Sequence, residues 1–567
     1  MPASDGSASD GSASDGSASD KPARAESNGA PPSVVGLLDP HREVVKFAGR
    51  DRELAELIAW CADGQDAPLR IVIGPSGVGK TRLAVELARQ MRARGWRTWW
   101  ADADGRGHPG RHAAIAMSHR KTLLIVDRAD ERQDLDELLV RLTTQQPFAR
   151  FLLLAGAAGG WCDQLELYGQ AHYALISAAR SVLMALAPAV RAGLADSEVA
   201  EAAAACFAAE LGRSAPATLV LRRTGGSAHR ILDLHIAALL AVLDEADDQA
   251  TRSVDPRSAA GELLGYEEGR WAATEPGTEL AELNFGELSA RQRVVAEYLL
   301  TPVSAQSSGG VRGLPPRVSD WLAATELAAS PEFAKRCFTG IAASRAAAAA
   351  CVLARAGAED TLPMPSLDAA VGLLAGEIED LVAPLPTLVG VLNVLPWSAP
   401  AWNEAAAVLC GRIVSMLGPA GDPAMRAYWL ASLGARDWRA GRHAEAVRST
   451  RLAVALRREL TEDDPDRHLA SLALSLGNLG HQLAGLGQLP EGISAMEEAA
   501  MMYRATAVVS PSRHLPSLAA TLTRLGRCYA RAGRNQDAQR ASDEAALLRR
   551  ELAGDHAQAS AGQSPAP

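Results

Sequence analysis

Apolar positions from Phe47 to Cys61 recur at Leu54, Leu57, Ile58 and Cys61, the spacing of one helical face. The next apolar run, Leu69–Ile73, is short and unbroken and suits a buried strand. A glycine-rich turn follows, then a helical pattern from Arg82 that stops at Gly95. Trp96–Ala103, Thr122–Val126, Arg150–Ala155 and Tyr173–Ile176 read as further strands, with a charged helix around Leu135–Leu142. Apolar strands alternating with helices predict a parallel sheet covered on both faces.

After Ser181 strand signals largely stop. Residues 181–245 carry Ala/Leu-rich helical patterns, 246–330 include a Gly/Ser/Pro-rich loop at Thr301–Pro316, and 331–425 are again helical. The final third repeats itself. The pair Gly434/Gly441 recurs as Gly480/Gly487 and Gly526/Gly533, each step being 46 residues, and Arg458, Arg504 and Arg550 follow the same step. Pro465 and Pro511 do so as well, and RHLASLA at Arg467 returns as RHLPSLA at Arg513. Each unit fits two helices of about 17 residues turning at the second glycine, and such units stack into a solenoid with one concave surface.

Composition narrows the classes. The 567 residues suit several domains. Aromatics are only 4%, so the cores are Leu, Val and Ala, which favours helices. The net charge of −10 argues against a broad surface for nucleic acid or anionic lipid. No run of ~18 apolar residues is present, so no membrane span is expected, and the N-terminus lacks the apolar core of a secretory signal. Seven scattered cysteines without CxxC point to reduced thiols and a cytoplasmic protein. A unit ASDGS repeats from Ala3 with Asp5, Asp10, Asp15 and Asp20 evenly spaced, the composition of a disordered tail. A second frayed tail is expected at the C-terminus.

The sharpest chemical signal is Gly74-Pro75-Ser76-Gly77-Val78-Gly79-Lys80-Thr81, which matches G-x-x-x-x-G-K-[ST] between a strand and a helix. Its glycines let backbone N–H groups face phosphate oxygens, and the helix N-terminus adds favourable partial charge. Lys80 should reach the β- and γ-phosphates and Thr81 should hold Mg²⁺. Only five of the 57 basic residues are lysine, which adds weight to Lys80. The second signal is TLLIVDRADE. Asp127, 47 residues after Lys80, ends what would be the neighbouring parallel strand, which would bring it beside the metal as a second metal-holding and catalytic group. Asp130 or Glu131, one turn on, could orient the attacking water. A strand-ending aspartate also serves as a plain helix cap.

Other features carry less. His108 and His112 are separated by Pro109 and Gly110 and do not share a helical face. Ser76 is not in a G-x-S-x-G elbow. No N-K-x-D reads guanine, which favours ATP/ADP by elimination. Arg457, Arg458, Arg549 and Arg550 read as solvated faces or carboxylate partners.

On these motifs the chain resembles the STAND-type NTPases (signal transduction ATPases with numerous domains), in the bacterial, NB-ARC/NACHT-like form with C-terminal tetratricopeptide repeats. The resemblance covers roughly 41–550. It rests on FAGRDREL at Phe47, the phosphate loop, IVDRAD at Ile125, LLLAGAAGGW at Leu152, LHIAALLAVL at Leu234 and the repeats. It implies that Gly49 and Arg50 lie near adenine and ribose, that the strand before Gly156 is a sensor strand, and that the helix around Leu234 belongs to a lid. LLGYEEGRW (Leu263–Trp271) and VSDWL (Val318–Leu322) resemble parts of a winged-helix-like module. Three departures stand out. Gly156 occupies the place of a common sensor arginine, Asp130 stands where Glu is frequent, and GGSAHRI (Gly225–Ile231) lacks the lid proline. The 46-residue repeat is also longer than the ~34-residue standard.

The expected fold class is therefore multidomain. A disordered tail (1–40) precedes an α/β P-loop NTPase with a parallel sheet (41–180), a helical lid (181–245), a winged-helix-like module (246–330), a helical arm (331–425), an all-α tetratricopeptide-like solenoid (426–553) and a short tail (554–567). The resemblance implies an ATP-binding signalling switch with ATP/ADP and Mg²⁺ as cofactors and slow ATP hydrolysis left open. A protein or peptide ligand would sit on the repeats, and self-association would be ATP-dependent. Two alternatives stay open: an ATP-dependent transcription regulator, and a repeat scaffold with a structural nucleotide.

Overall fold

The computed structural model describes residues 33–63, 67–101, 121–132, 135, 138–139, 149–157, 161–162, 179, 183–187, 195–222, 229–244, 251–256, 258–273, 288–300, 314–359, 365–396 and 400–561. Two units divide the chain, Met1–Pro32 and Ser33–Pro567, and all described residues belong to the second. His108, His112, the expected strand Tyr173–Ile176, the ASDGS repeats, most of the Thr301–Pro316 loop and the last six residues lie outside the described set.

Helix α1 (Asp51–Ala62) starts later than its apolar pattern, because Gly49 at φ 81° breaks helical backbone just before it. Strand β1 (Leu69–Ile73) leads through the phosphate loop into α2 (Lys80–Ala93). Strands β2 (Arg97–Trp100), β3 (Thr122–Val126), β4 (Ala149–Ala155) and β5 (Met184–Ala185) complete a parallel sheet of order β2-β3-β4-β1-β5. Alternate residues point to opposite faces. Leu69, Ile71, Leu124, Val126, Phe151 and Leu153 join a core with Leu135, Leu138, Leu139 and Trp161. Val72, Leu123, Ile125, Leu152 and Leu154 join another with α1 and α2. The sheet is thus covered on both faces, as its apolar strands demand.

The middle of the chain is helical: α3 (Asp196–Leu211), α4 (Ile231–Leu243), α5 (Ala259–Ala273), α6 (Ala290–Leu300), α7 (Pro316–Ala329), α8 (Pro331–Phe338), α9 (Ala343–Gly357), α10 (Asp368–Glu379), α11 (Leu385–Val394) and α12 (Asn403–Leu417). One feature interrupts the helices. The short run at β6 (Thr218–Leu221) pairs in parallel with β7 (Thr251–Val254) across α4. A single apolar core runs from Val35 through these helices to Trp429 of the first repeat helix.

The repeats are α13 (Pro423–Arg439), α14 (His443–Asp463), α15 (Pro465–Gly485), α16 (Leu489–Val509), α17 (Pro511–Arg531) and α18 (Asn535–Ala561). Most are longer than the 17 residues expected, four of them having 21. The second glycine of each pair makes the turn: Gly441, Gly487 and Gly533 have φ of 82°, 85° and 77°. The first glycine makes the contact. A Cβ on Gly434, Gly480 or Gly526 would meet Thr450, Met496 or Ser542 of the following helix. The repeated arginine has its own reason. Arg458 pairs with Glu498 and Arg504 with Glu544, each bridging to the next repeat.

Candidate functional site

The phosphate loop closes the C-terminal edge of the sheet. Gly77 (φ 83°) and Gly79 (φ 96°) adopt backbone that favours glycine, and Gly74 packs too near Leu186 O to carry a side chain freely. Lys80 Nζ donates to Gly74 O at 2.6 Å and Pro75 O at 3.2 Å. Burial pulls the Lys80 ammonium below its ordinary pKa, while Asp127, Asp130 and Glu131 oppose that shift. Val78 is buried and anchors the loop in the core.

Asp127 does not come from the strand beside β1, since β4 lies between them. Its carboxylate nevertheless reaches the loop: Thr81 Oγ1 donates to Asp127 Oδ2 at 2.9 Å. Asp127 Oδ1 accepts from the N–H of Arg128, whose φ of 53° starts a tight turn over Ala129–Glu131. That turn sends the two following acids apart. Asp130 Oδ2 accepts from Gly156 N at 2.8 Å. Burial, with the neighbouring Glu131 charge, lifts the Asp130 carboxyl to about 6. Glu131 instead pairs with Arg128 and, at 2.8 Å, with Arg355. Burial opposes its charge, but Arg128 and Arg355 outweigh it and hold the carboxyl at about 2.

Arg50 lies beneath the loop. Its guanidinium donates to Val78 O at 3.2 Å, to Ala187 O at 2.6 Å and to Glu53 at 3.0 Å, bracing the loop against the end of β5.

Lys80, Thr81, Asp127, Asp130 and Glu131 all line one cavity of about 790 Å³. The segment Asp39–Ala48, the start of α4, the start of α7 and the end of α9 form other walls, together with Tyr428, Ser432 and Arg436 of the first repeat helix. Helix α4 docks directly on the loop, Leu232 N donating to Gly77 O at 3.1 Å. His235, one turn on, is half-buried, and desolvation with Arg82 nearby pushes it down to about 4, so it is a neutral wall residue at pH 7.

Two charged clusters escaped sequence reasoning. In the first, Arg230 donates to Ser76 O at 3.0 Å and to Glu359 at 3.0 Å, while Arg317 binds Glu359 through two nitrogens and also pairs with Asp233. In the second, Arg355 ties Glu131 to Asp320, and Tyr298 donates to Asp320 at 2.8 Å. The partners are up to 224 residues apart, so no local spacing reports them.

Among the described residues no group of three or more His, Cys, Asp or Glu could hold a metal by itself. Thr81 and Asp127 offer two hard oxygens. That suits Mg²⁺, which takes one or two protein ligands and completes its shell with water and phosphate.

No family model matches the chain, and no curated protein matches it. Among solved structures, it is similar to a Signal Transduction ATPase with Numerous Domains (STAND) protein with a tetratricopeptide repeat sensor from Pyrococcus horikoshii. The identity is 14%, over 90% of this chain and 84% of that one, with a TM-score of 0.27.

Proposed function

We propose that the protein is a nucleotide-operated switch, binding Mg-ATP and Mg-ADP between the phosphate loop and the helices that close over it. The observation that carries this is the convergence of Lys80, Thr81, Asp127 and Asp130 on one cavity whose far wall is the first repeat helix. The N–H groups of Gly77 to Thr81 would cradle the phosphates, and Lys80 would turn from its loop carbonyls to phosphate oxygens. Thr81 and Asp127 would hold Mg²⁺, whose charge offsets that of the phosphate oxygens. Asp130, fixed by Gly156, would take a proton from the attacking water.

ATP and ADP can move the closing helices only by binding their two positions differently. A protein or peptide ligand on the repeats would bias the same equilibrium, because α13 lines the cavity, and the ATP form would self-associate. The test is light-scattering mass with Mg-ATP, Mg-ADP and no nucleotide, with Lys80→Ala alongside. A larger mass with ATP alone, lost in the variant, is expected. Unchanged nucleotide affinity in Lys80→Ala would sink the reading.

A second reading, a scaffold with a structural nucleotide, draws on Glu131. Its carboxylate is engaged by Arg128 and Arg355, leaving Asp130 as the remaining base in the turn. Under it, ATP raises thermal stability without turnover.

A further inference from the structure

Glu359 sits just past the end of α9 with its side chain only 7% exposed, facing two arginines from other elements. Arg230 caps the start of α4 and Arg317 opens α7. Both are nearly fully buried, at 5% and 3% side-chain exposure. One Glu359 oxygen accepts from Arg230 at 3.0 Å and Arg317 Nε at 2.9 Å, and the other accepts from Arg317 at 3.0 Å. The same arginines border the phosphate loop. Arg230 holds Ser76 O, and Arg317 Cδ lies 3.3 Å from where a Cβ on Gly77 would be. Arg230 is also near enough to Lys80 to lower the pKa of its ammonium.

A carboxylate thus occupies a paired arginine site at the lip of a phosphate-binding loop. Planar guanidinium pairs bind phosphate oxygens at least as well as carboxylate. Resting on the nucleotide-binding reading above, we infer that Glu359 discriminates between nucleoside triphosphate and diphosphate: its carboxylate holds the arginine pair that a terminal phosphate would recruit. A diphosphate, seated on the loop N–H groups, leaves Glu359 in place. A triphosphate competes for Arg317 and Arg230 and displaces Glu359 together with the end of α9. Glu359 therefore lowers affinity for the triphosphate, and the position of α9 reports which nucleotide is bound.

The experiment is calorimetric titration of the full chain with Mg-ADP and with the Mg complex of a β,γ-imido triphosphate. Glu359→Gln should raise triphosphate affinity by ~10-fold or more relative to diphosphate, within the usual range of coupling between sites. The charge-retaining Glu359→Asp should not, and Glu359→Gln/Arg317→Gln should lose the gain. An unchanged ratio of the two affinities in Glu359→Gln overturns the inference. Should that variant fail to fold, hydrogen exchange on the wild-type chain decides. Amides 351–359 should lose protection with triphosphate but not diphosphate, and equal protection overturns the inference. If the wild type binds nucleotide through Lys80 while these results are negative, only this inference falls. If it binds none, the nucleotide-binding reading falls with it.

Discussion

The N–H of Gly156 donates to Asp130 Oδ2 at 2.8 Å, and a Cβ added at Gly156 would lie 3.0 Å from that same oxygen. A side chain at this strand end would therefore crowd the Asp130 carboxylate and push it by a few tenths of an ångström. Gly156→Ala should leave nucleotide affinity within about twofold yet slow single-turnover hydrolysis by ~10- to 100-fold, the scale set by misplacing a reacting group. Hydrolysis at the wild-type rate in Gly156→Ala would falsify the assignment of Asp130 as base.

Thr81 and Asp127 share one hydrogen bond and one proposed ion. Asp127→Asn removes the charge while keeping the shape. Nucleotide affinity measured with Mg²⁺ and again with EDTA should differ strongly in the wild type. The two values should converge in the variant, while a persisting metal dependence would move the ion elsewhere.

Acidity offers an independent readout of Asp130. Its carboxyl is raised from 3.8 to about 6, so the folded state binds this proton more tightly than the unfolded chain does. The cost of the buried charge is present above pH 6 and is relieved as pH falls towards 3.8. Glu131 works the other way, since its carboxyl is lowered from 4.5 to about 2 and its contribution is lost as pH falls through that window. Urea unfolding between pH 6 and 4 should show the wild type gaining on Asp130→Asn, by about 2–3 kcal/mol in all. Any turnover should decline below pH 6.

Arg355 holds Glu131 and Asp320 together. Arg355→Ala leaves two buried carboxylates without that partner. Destabilisation of about 3–5 kcal/mol is expected by denaturant titration.

In the repeats, two glycines of one helix should behave oppositely. A Cβ on Gly480 meets Gly492 O at 2.6 Å and Met496 N at 3.2 Å, both backbone atoms that cannot swing aside. At Gly477 the nearest atom is 3.8 Å away. Gly480→Ala should cost about 1–3 kcal/mol by thermal unfolding, whereas Gly477→Ala should gain about 0.5–1 kcal/mol from helix propensity.

What could be read from the chain alone was whatever is encoded locally. The loop at Gly74–Thr81 sits between a strand and a helix because its glycines and flanking apolar runs are contiguous. The 46-residue period is legible because each unit repeats the same turn at Gly441, Gly487 and Gly533. The order of the sheet was not, since placing β4 between β1 and β3 leaves no trace in periodicity. On the other side of β1, β5 is only Met184–Ala185, too short to give a pattern. Arg230, Arg317 and Glu359 were invisible for another reason. Each is an ordinary charged residue at the end of a helix, and only folding brings Glu359 against Arg230, 129 positions away, and Arg317, 42 positions away.

Helix α13 belongs to two structures at once. Trp429 is buried in the core that runs through the middle helices, Arg436 donates to Leu395 O at 3.3 Å, and Tyr428 and Ser432 line the cavity, yet the same 17 residues begin the repeat stack. A helix of that length is a stiff rod of roughly 25 Å. The stack and the cavity thus share a shaft rather than a hinge. A rotation of the repeat stack about that shaft would be felt at the cavity wall.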